Sequence, residues 1–170
     1  MKAIILSALL AILAAPAHAQ NLAEIERREQ EVVSAWEKAP LGVRRAIFVD
    51  EKPKLFGAYT ERASNVFRRG EPLLTYAEPV GYSWTPGPDG FRFGVTLDFL
   101  VKSRDGKVLG GQEKFLTFSQ VSRAKVRELM LNVDLNLSGA PAGDYVIQYT
   151  LHDVGNGRTA TIEQPFRIVD

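Results

Sequence analysis

Phe91-Arg92-Phe93-Gly94-Val95-Thr96-Leu97-Asp98-Phe99-Leu100-Val101 is the stretch that decides the fold. Phe91, Phe93, Val95, Leu97, Phe99 and Val101 alternate with Arg92, Gly94, Thr96, Asp98 and Leu100. Strict alternation of this kind gives a strand with one buried and one wet face. Turn chemistry flanks it on both sides. Pro86-Gly87-Pro88-Asp89-Gly90 precedes it as a loop after Val80 to Thr85, and Arg104-Asp105-Gly106-Lys107 follows. Asp-Gly is a favoured pair for a tight hairpin.

Further strands follow downstream. Val108 to Phe118 returns the chain, with Gly110-Gly111 marking a bulge. Ser119 to Val126 is polar and is read as holding a helical turn. Leu129, Leu131, Val133, Leu135 and Leu137 alternate with polar or flexible partners, as do Tyr145, Ile147, Tyr149 and Leu151. Ala160, Ile162, Phe166 and Ile168 close the chain after the Gly155-Asn156-Gly157 turn. Upstream, Ala46 to Val49, Leu55 to Tyr59 and Pro72 to Glu78 are strand candidates. Short strands at regular spacing predict a mainly β chain, an antiparallel sandwich over residues 43–170.

The N-terminus is of another kind. Met1-Lys2 is followed by Ala3 to Ala15, 13 residues without a charge, and then by Pro16-Ala17-His18-Ala19. A charged start, a short apolar core and small residues before Gln20 mark residues 1–19 as a secretory signal peptide. The apolar run falls short of the ~20 residues that span a bilayer. Residues 20–42 then read as a helix and linker. Leu22, Ile25, Val32, Val33 and Trp36 lie near one face, with Asn21 as N-cap and Glu24 in the capping-box position. Pro40 and Gly42 end it, and the Trp36 side is expected to pack on the β domain.

Composition excludes several classes. There is no cysteine, hence no lipidated cysteine, disulfide framework or thiolate site. The leader holds one of the 21 basic residues, Lys2, which leaves the mature chain balanced against 20 acidic ones. A neutral chain is a poor nucleic-acid partner. Export without disulfides points to a bacterial periplasm, with full secretion as the alternative.

Leu137-Ser138-Gly139-Ala140-Pro141-Ala142-Gly143-Asp144-Tyr145-Val146-Ile147-Gln148-Tyr149 resembles the tyrosine corner of immunoglobulin-like and fibronectin-type sandwiches. Gly143-Asp144-Tyr145 through Asp153 to Pro165-Phe166-Arg167-Ile168 is similar to the closing hairpin of uncharacterised bacterial exported sandwich domains. Gly70-Glu71 before Leu73-Leu74-Thr75-Tyr76 resembles an early strand of such proteins. The resemblance implies an immunoglobulin-like β-sandwich, with the Tyr145 hydroxyl bonded to the backbone upstream. It implies no activity.

Chemistry is sparse. The mature chain has one histidine, His152, beside Asp153, and it reads as an exposed turn residue. No metal site, cofactor loop or catalytic triad is assigned. Asp98 and Asp134 on polar strand faces are the carboxylates an envelope glycan-active enzyme would use, with Glu78 and Glu113 near strand ends. Tyr76, Tyr82, Trp84 and Phe91 surround the first hairpin. Tyr82 and Trp84 share a face, which suits either a core or a surface that stacks on a ligand. Between Val43 and Gly70, seven basic residues stand against three acidic ones, among them Arg62, Arg68 and Arg69.

The expected function is a non-enzymatic periplasmic binding module that takes an envelope protein or glycan, with no nucleic acid and no membrane span. Tyr82 and Trp84 lead the ligand-binding candidates, followed by Arg62, Arg68 and Arg69. The alternatives are the carboxylate-pair enzyme and a structural subunit that pairs through a sheet edge.

Overall fold

A computed structural model describes the backbone from Ala17 to Asp170 and the side chains from Asn21 onward. The expected leader therefore lies outside the described residues, apart from the backbone of its last three. One helix, α1 (Ala17–Lys38), is followed by nine strands: β1 (Gly42–Phe48), β2 (Val66–Arg68), β3 (Leu73–Val80), β4 (Thr85–Gly87), β5 (Gly90–Ser103), β6 (Val108–Ser122), β7 (Leu131–Leu135), β8 (Gly143–Asp153) and β9 (Thr159–Val169). The chain divides into two compact units, Met1–Ser34 and Ala35–Asp170.

In the first unit, α1 is already helical at Ala17, so Asn21 is an interior residue rather than the N-cap. Arg27 bridges Glu24 and Glu31, and Arg28 does the same one position on. These three- and four-residue spacings are the helix's own surface neighbours. The apolar stripe departs from expectation, because Leu22, Ile25 and Val32 are exposed. The helix stops where the Ala39 amide makes its bonds to the Ala35 and Trp36 carbonyls and Pro40 has no N–H to offer.

The second unit is mainly β, in two sheets. The smaller runs β1-β3-β7, antiparallel throughout. The larger runs β2-β9-β8-β5, with β6 on the far side of β5 and the short β4 on its near side. One pairing corrects the expected antiparallel arrangement. β2 lies parallel to β9, which makes the larger sheet mixed. The candidate strand at Leu55 to Tyr59 is instead a run of bends and turns with Leu55 exposed. The first hairpin is tighter than expected: Thr85 to Gly87 pairs with Gly90 to Arg92 around Pro88-Asp89.

The alternation decides what is buried. Tyr145, Ile147, Tyr149, Leu151 and Asp153 of β8 point inward, as do Ile162, Gln164, Phe166 and Ile168 of β9. Leu73, Thr75, Leu131 and Val133 do the same from the smaller sheet. The two sets share one core. Phe48 meets Phe166 edge-on, and the Thr75 and Tyr149 hydroxyls lie 3.2 Å apart. Each fully buried large apolar side chain stabilises the fold by about 1.5–3 kcal/mol. The Tyr145 hydroxyl donates to the Pro141 carbonyl at 2.8 Å, the upstream bond expected of this residue.

Candidate functional site at the open edge of the larger sheet

The aromatic group lies inside the protein. Tyr82 is fully buried and Trp84 is 8 % exposed. The Tyr82 hydroxyl and the Trp84 indole N–H both donate to the Val126 carbonyl, at 3.0 and 2.8 Å. Trp36 donates its own indole N–H to the Tyr82 carbonyl at 2.8 Å and stacks on Trp84. Burial pushes the Tyr82 phenol well above its ordinary range. Both rings are thus core residues with their polar atoms satisfied, which corrects their reading as ligand contacts. The shared face that suggested a stacking surface is the face that packs.

The basic stretch is dispersed and mostly paired. Arg62 lies over the Phe67 ring, donates to the Val66 carbonyl and pairs with Glu71 at 2.8 Å. Lys52 pairs with Asp134, Arg69 with Asp170, and Arg45 sits over Tyr59. Of the three candidate arginines, Arg62 is only 21 % exposed and is committed to structure. Arg68 and Arg69 are exposed at the end of β2.

The carboxylates do not pair either. Asp98 stands on β5 of the larger sheet, and Asp134 stands on β7 of the smaller one beside Lys52. Among the described residues no three His, Cys, Asp or Glu side chains group as metal ligands. His152 is not a turn residue but part of β8, paired with Thr96 and Thr159. Its Nε2 lies 2.7 Å from Asp98 Oδ2, and the other Asp98 oxygen accepts the Lys114 amide at 2.7 Å. Partial burial pushes the Asp98 carboxyl up, but the Lys114 amide and His152 outweigh it and hold it below the usual range. Asp98 closes a β6 irregularity in which Lys114 adopts φ 50°. Beside it lies a groove of about 430 Å³ lined by Phe99, Leu100, Val108, Gln112, Glu113 and Thr150.

His152 and its neighbour Asp153 point to opposite faces. Asp153 is buried and accepts from Ser83 and Gly155, with Arg158 Nη2 3.8 Å away. Arg158 in turn donates to the Ala39 and Gly81 carbonyls. Sequence reading missed this knot, because nothing local to Asp153 announces partners 70 residues upstream.

What remains exposed is the edge. β6 is 15 residues long and pairs only with β5. Its other backbone edge has no strand partner among the described residues. Val108, Leu109 and Val121 on it are exposed. The first half is interrupted twice, between Leu97 and Phe99 and between Val101 and Lys102 on the facing strand. The second half, Phe115-Leu116-Thr117-Phe118-Ser119-Gln120-Val121-Ser122, carries no charge, glycine or proline. Other edges are blunted in the usual ways. β2 has three residues and β7 five, β9 carries Glu163 and Pro165 where it runs without β2, and β1 has a register shift at Val43 and Arg45 with Arg44 and Arg45 exposed.

No protein-family model and no curated protein sequence matches the chain. Among solved structures it is similar to the Pseudomonas fluorescens alkylpurine DNA glycosylase AlkC bound to DNA containing an abasic site analog. That match has 12 % identity and a TM-score of 0.39 over 78 % of this chain and 31 % of the glycosylase. A superoxide reductase (neelaredoxin) from Ignicoccus hospitalis matches at 12 % identity and TM-score 0.35, over 75 % of this chain and 82 % of the reductase. The chain thus spans about a third of the glycosylase's length, and likeness at this level carries no function across.

Proposed function

We propose that this is a non-enzymatic interaction protein of the bacterial cell envelope, exported to the periplasm by its N-terminal leader. It is built as an immunoglobulin-like β-sandwich and takes an extended polypeptide strand along β6. One observation carries the reading: the outer edge of β6 is long, uncharged over its second half, and without a strand partner among the described residues. Such an edge offers a row of N–H and C=O groups that a strand of another chain satisfies. The Tyr145–Pro141 bond supports the immunoglobulin-like assignment. The burial of Tyr82 and Trp84 favours a polypeptide over a glycan, because the aromatic surface a sugar would stack on is inside.

The test is a Ser119→Lys/Val121→Lys variant, since charged edge residues oppose strand addition. Both positions are exposed, so the fold is retained. Capture of polypeptide from the periplasm is expected to fall to background. Undiminished capture by the folded variant overturns the reading.

A further inference from the structure

Resting on the export in that reading, and not on strand addition, we infer that Asn136 is an acceptor for an N-linked oligosaccharide, added in the periplasm from a polyprenyl pyrophosphate carrier. The run Asp134-Leu135-Asn136-Leu137-Ser138 begins the argument. Asn-x-Ser/Thr, with x other than Pro, is the acceptor pattern for N-glycosylation. An acidic residue two positions before the asparagine is the addition that bacterial transferases require. Of the five asparagines in the chain, Asn136 alone has a Ser or Thr two residues on.

The chemistry says what such a site needs. An amide nitrogen is a weak nucleophile, because its lone pair is shared with the carbonyl. A transferase must therefore grip the asparagine from outside and twist its amide. That takes an exposed side chain without bonds to the protein, a hydroxyl as second handhold, and backbone outside a ladder. β7 ends at Leu135, and Asn136 and Leu137 lie beyond it. Asn136 is exposed and makes no side-chain hydrogen bond among the described residues. By contrast, Asn65 and Asn132 donate to the Pro165 and Pro53 carbonyls, and Asn156 accepts the Arg158 amide. The Ala140 amide donates to the Leu137 carbonyl at 3.0 Å, closing a turn with Ser138 exposed on it. Asp134 and Asn136 are exposed and Leu135 between them is buried, so carboxylate and amide are offered on one side. Lys52 pairs with Asp134 at 2.6 Å, and exposed pairs of this kind open readily. A groove of about 470 Å³ beside Asn136 and Ser138 leaves room for the incoming sugar.

In the step, Asn136 Nδ2 bonds to the anomeric carbon of the first sugar. The bond from that carbon to the pyrophosphate oxygen breaks. The polyprenyl pyrophosphate leaves with the electron pair, and one amide proton passes to a base of the transferase.

The full chain is expressed in a bacterium that holds an oligosaccharyltransferase and its oligosaccharide on polyprenyl pyrophosphate, and the periplasmic protein is weighed and peptide-mapped. One oligosaccharide is expected, on Asn136. Asn136→Gln and Ser138→Ala should each abolish it, while Ser138→Thr should keep it. Asp134→Ala should lower occupancy about tenfold, as loss of a bond to a charged group does, and Asp134→Glu should restore it. A periplasmic chain without the added mass, or with it retained in Asn136→Gln, overturns the inference and leaves export standing. A chain that stays in the cytoplasm overturns export. The purified folded chain, incubated with the same transferase and lipid-linked donor, then decides the acceptor by itself: modification at Asn136 upholds it and an unchanged mass overturns it.

Discussion

The Asp153 carboxylate accepts the Ser83 amide at 2.7 Å and the Ser83 hydroxyl at 2.6 Å, across 70 residues of sequence. The bond fastens the end of β8 to the segment between β3 and β4. Gly155 lets the turn approach, since a Cβ there would stand 2.2 Å from Ser83 Oγ. The Asp153 side chain has no solvent exposure, so its lone pairs depend on these donors.

Asp153→Ala should therefore destabilise the protein by about 3–5 kcal/mol, the range for breaking a buried charged network. Arg158 would lose its nearest carboxylate, and the Ser83 donors would be orphaned. Urea denaturation followed by tryptophan fluorescence reads it. A change within experimental error would mean that water replaces the carboxylate without cost.

Trp84→Ala should cost about 3–5 kcal/mol, as large-to-small changes in cores do. The indole fills space between Trp36 and Tyr82 and satisfies half of the Val126 carbonyl. Trp84→Phe should retain much of the packing. Thermal denaturation of the two variants checks this. A Trp84→Ala protein as stable as the parent would return the ring to the surface.

Gly94→Ala should loosen β6 from β5. Gly94 has φ 156°, and a Cβ there would meet the Phe118 carbonyl oxygen at 2.1 Å. That contact is backbone, so the strands themselves must part. Hydrogen exchange at the β6 amides bonded to β5 is expected to quicken, with a loss of about 1–3 kcal/mol overall. Unchanged exchange would show that the ladder absorbs the methyl group.

Two pH limits follow from the shifted groups. The Asp98 carboxyl is held below its ordinary value of 3.8, so its stabilisation is fully present above that pH and is lost as pH falls through the lower folded value. Asp98→Asn should flatten the acid limb of the stability curve. An acid limb identical in both proteins would contradict it.

At the alkaline end, burial raises the Tyr76 and Tyr149 phenols to about 12 from an ordinary 10. Stability from these groups is fully present below pH 10 and is lost as pH rises toward 12. Ultraviolet titration should show these two phenols ionising only as the protein unfolds. Early ionisation of every tyrosine would contradict it.

Much of the β framework was legible because alternation is a local signal. Tyr145 to Leu151 and Leu131 to Leu135 bury the residues their period selects, and Phe91 to Val101 buries Phe93, Val95, Leu97 and Val101 while Phe91 and Phe99 stay half-buried. Tyr82 and Trp84 were in phase with a buried face, and burial is what that phase brought. The register between β5 and β8 was not legible, because it is set by packing rather than by neighbours in sequence. His152 therefore read as a turn residue, and its bond to Asp98 had no local sign. The parallel β2 was hidden for the same reason, since three residues carry no period. Leu22, Ile25 and Val32 have helical spacing without burial. Periodicity states which side could be buried, not whether anything covers it.

Site-specific photo-cross-linking in the exporting cell tests the central claim most directly. A photoreactive residue is placed at Thr117 or Val121 on β6 and, for comparison, at Glu163 on β9, an exposed position of the same sheet beside Pro165, which offers no N–H to an added strand. The β6 positions should cross-link to polypeptide in the periplasm and Glu163 should not. Cross-linking at Glu163 with none along β6 would contradict the assignment of the open edge as the working surface.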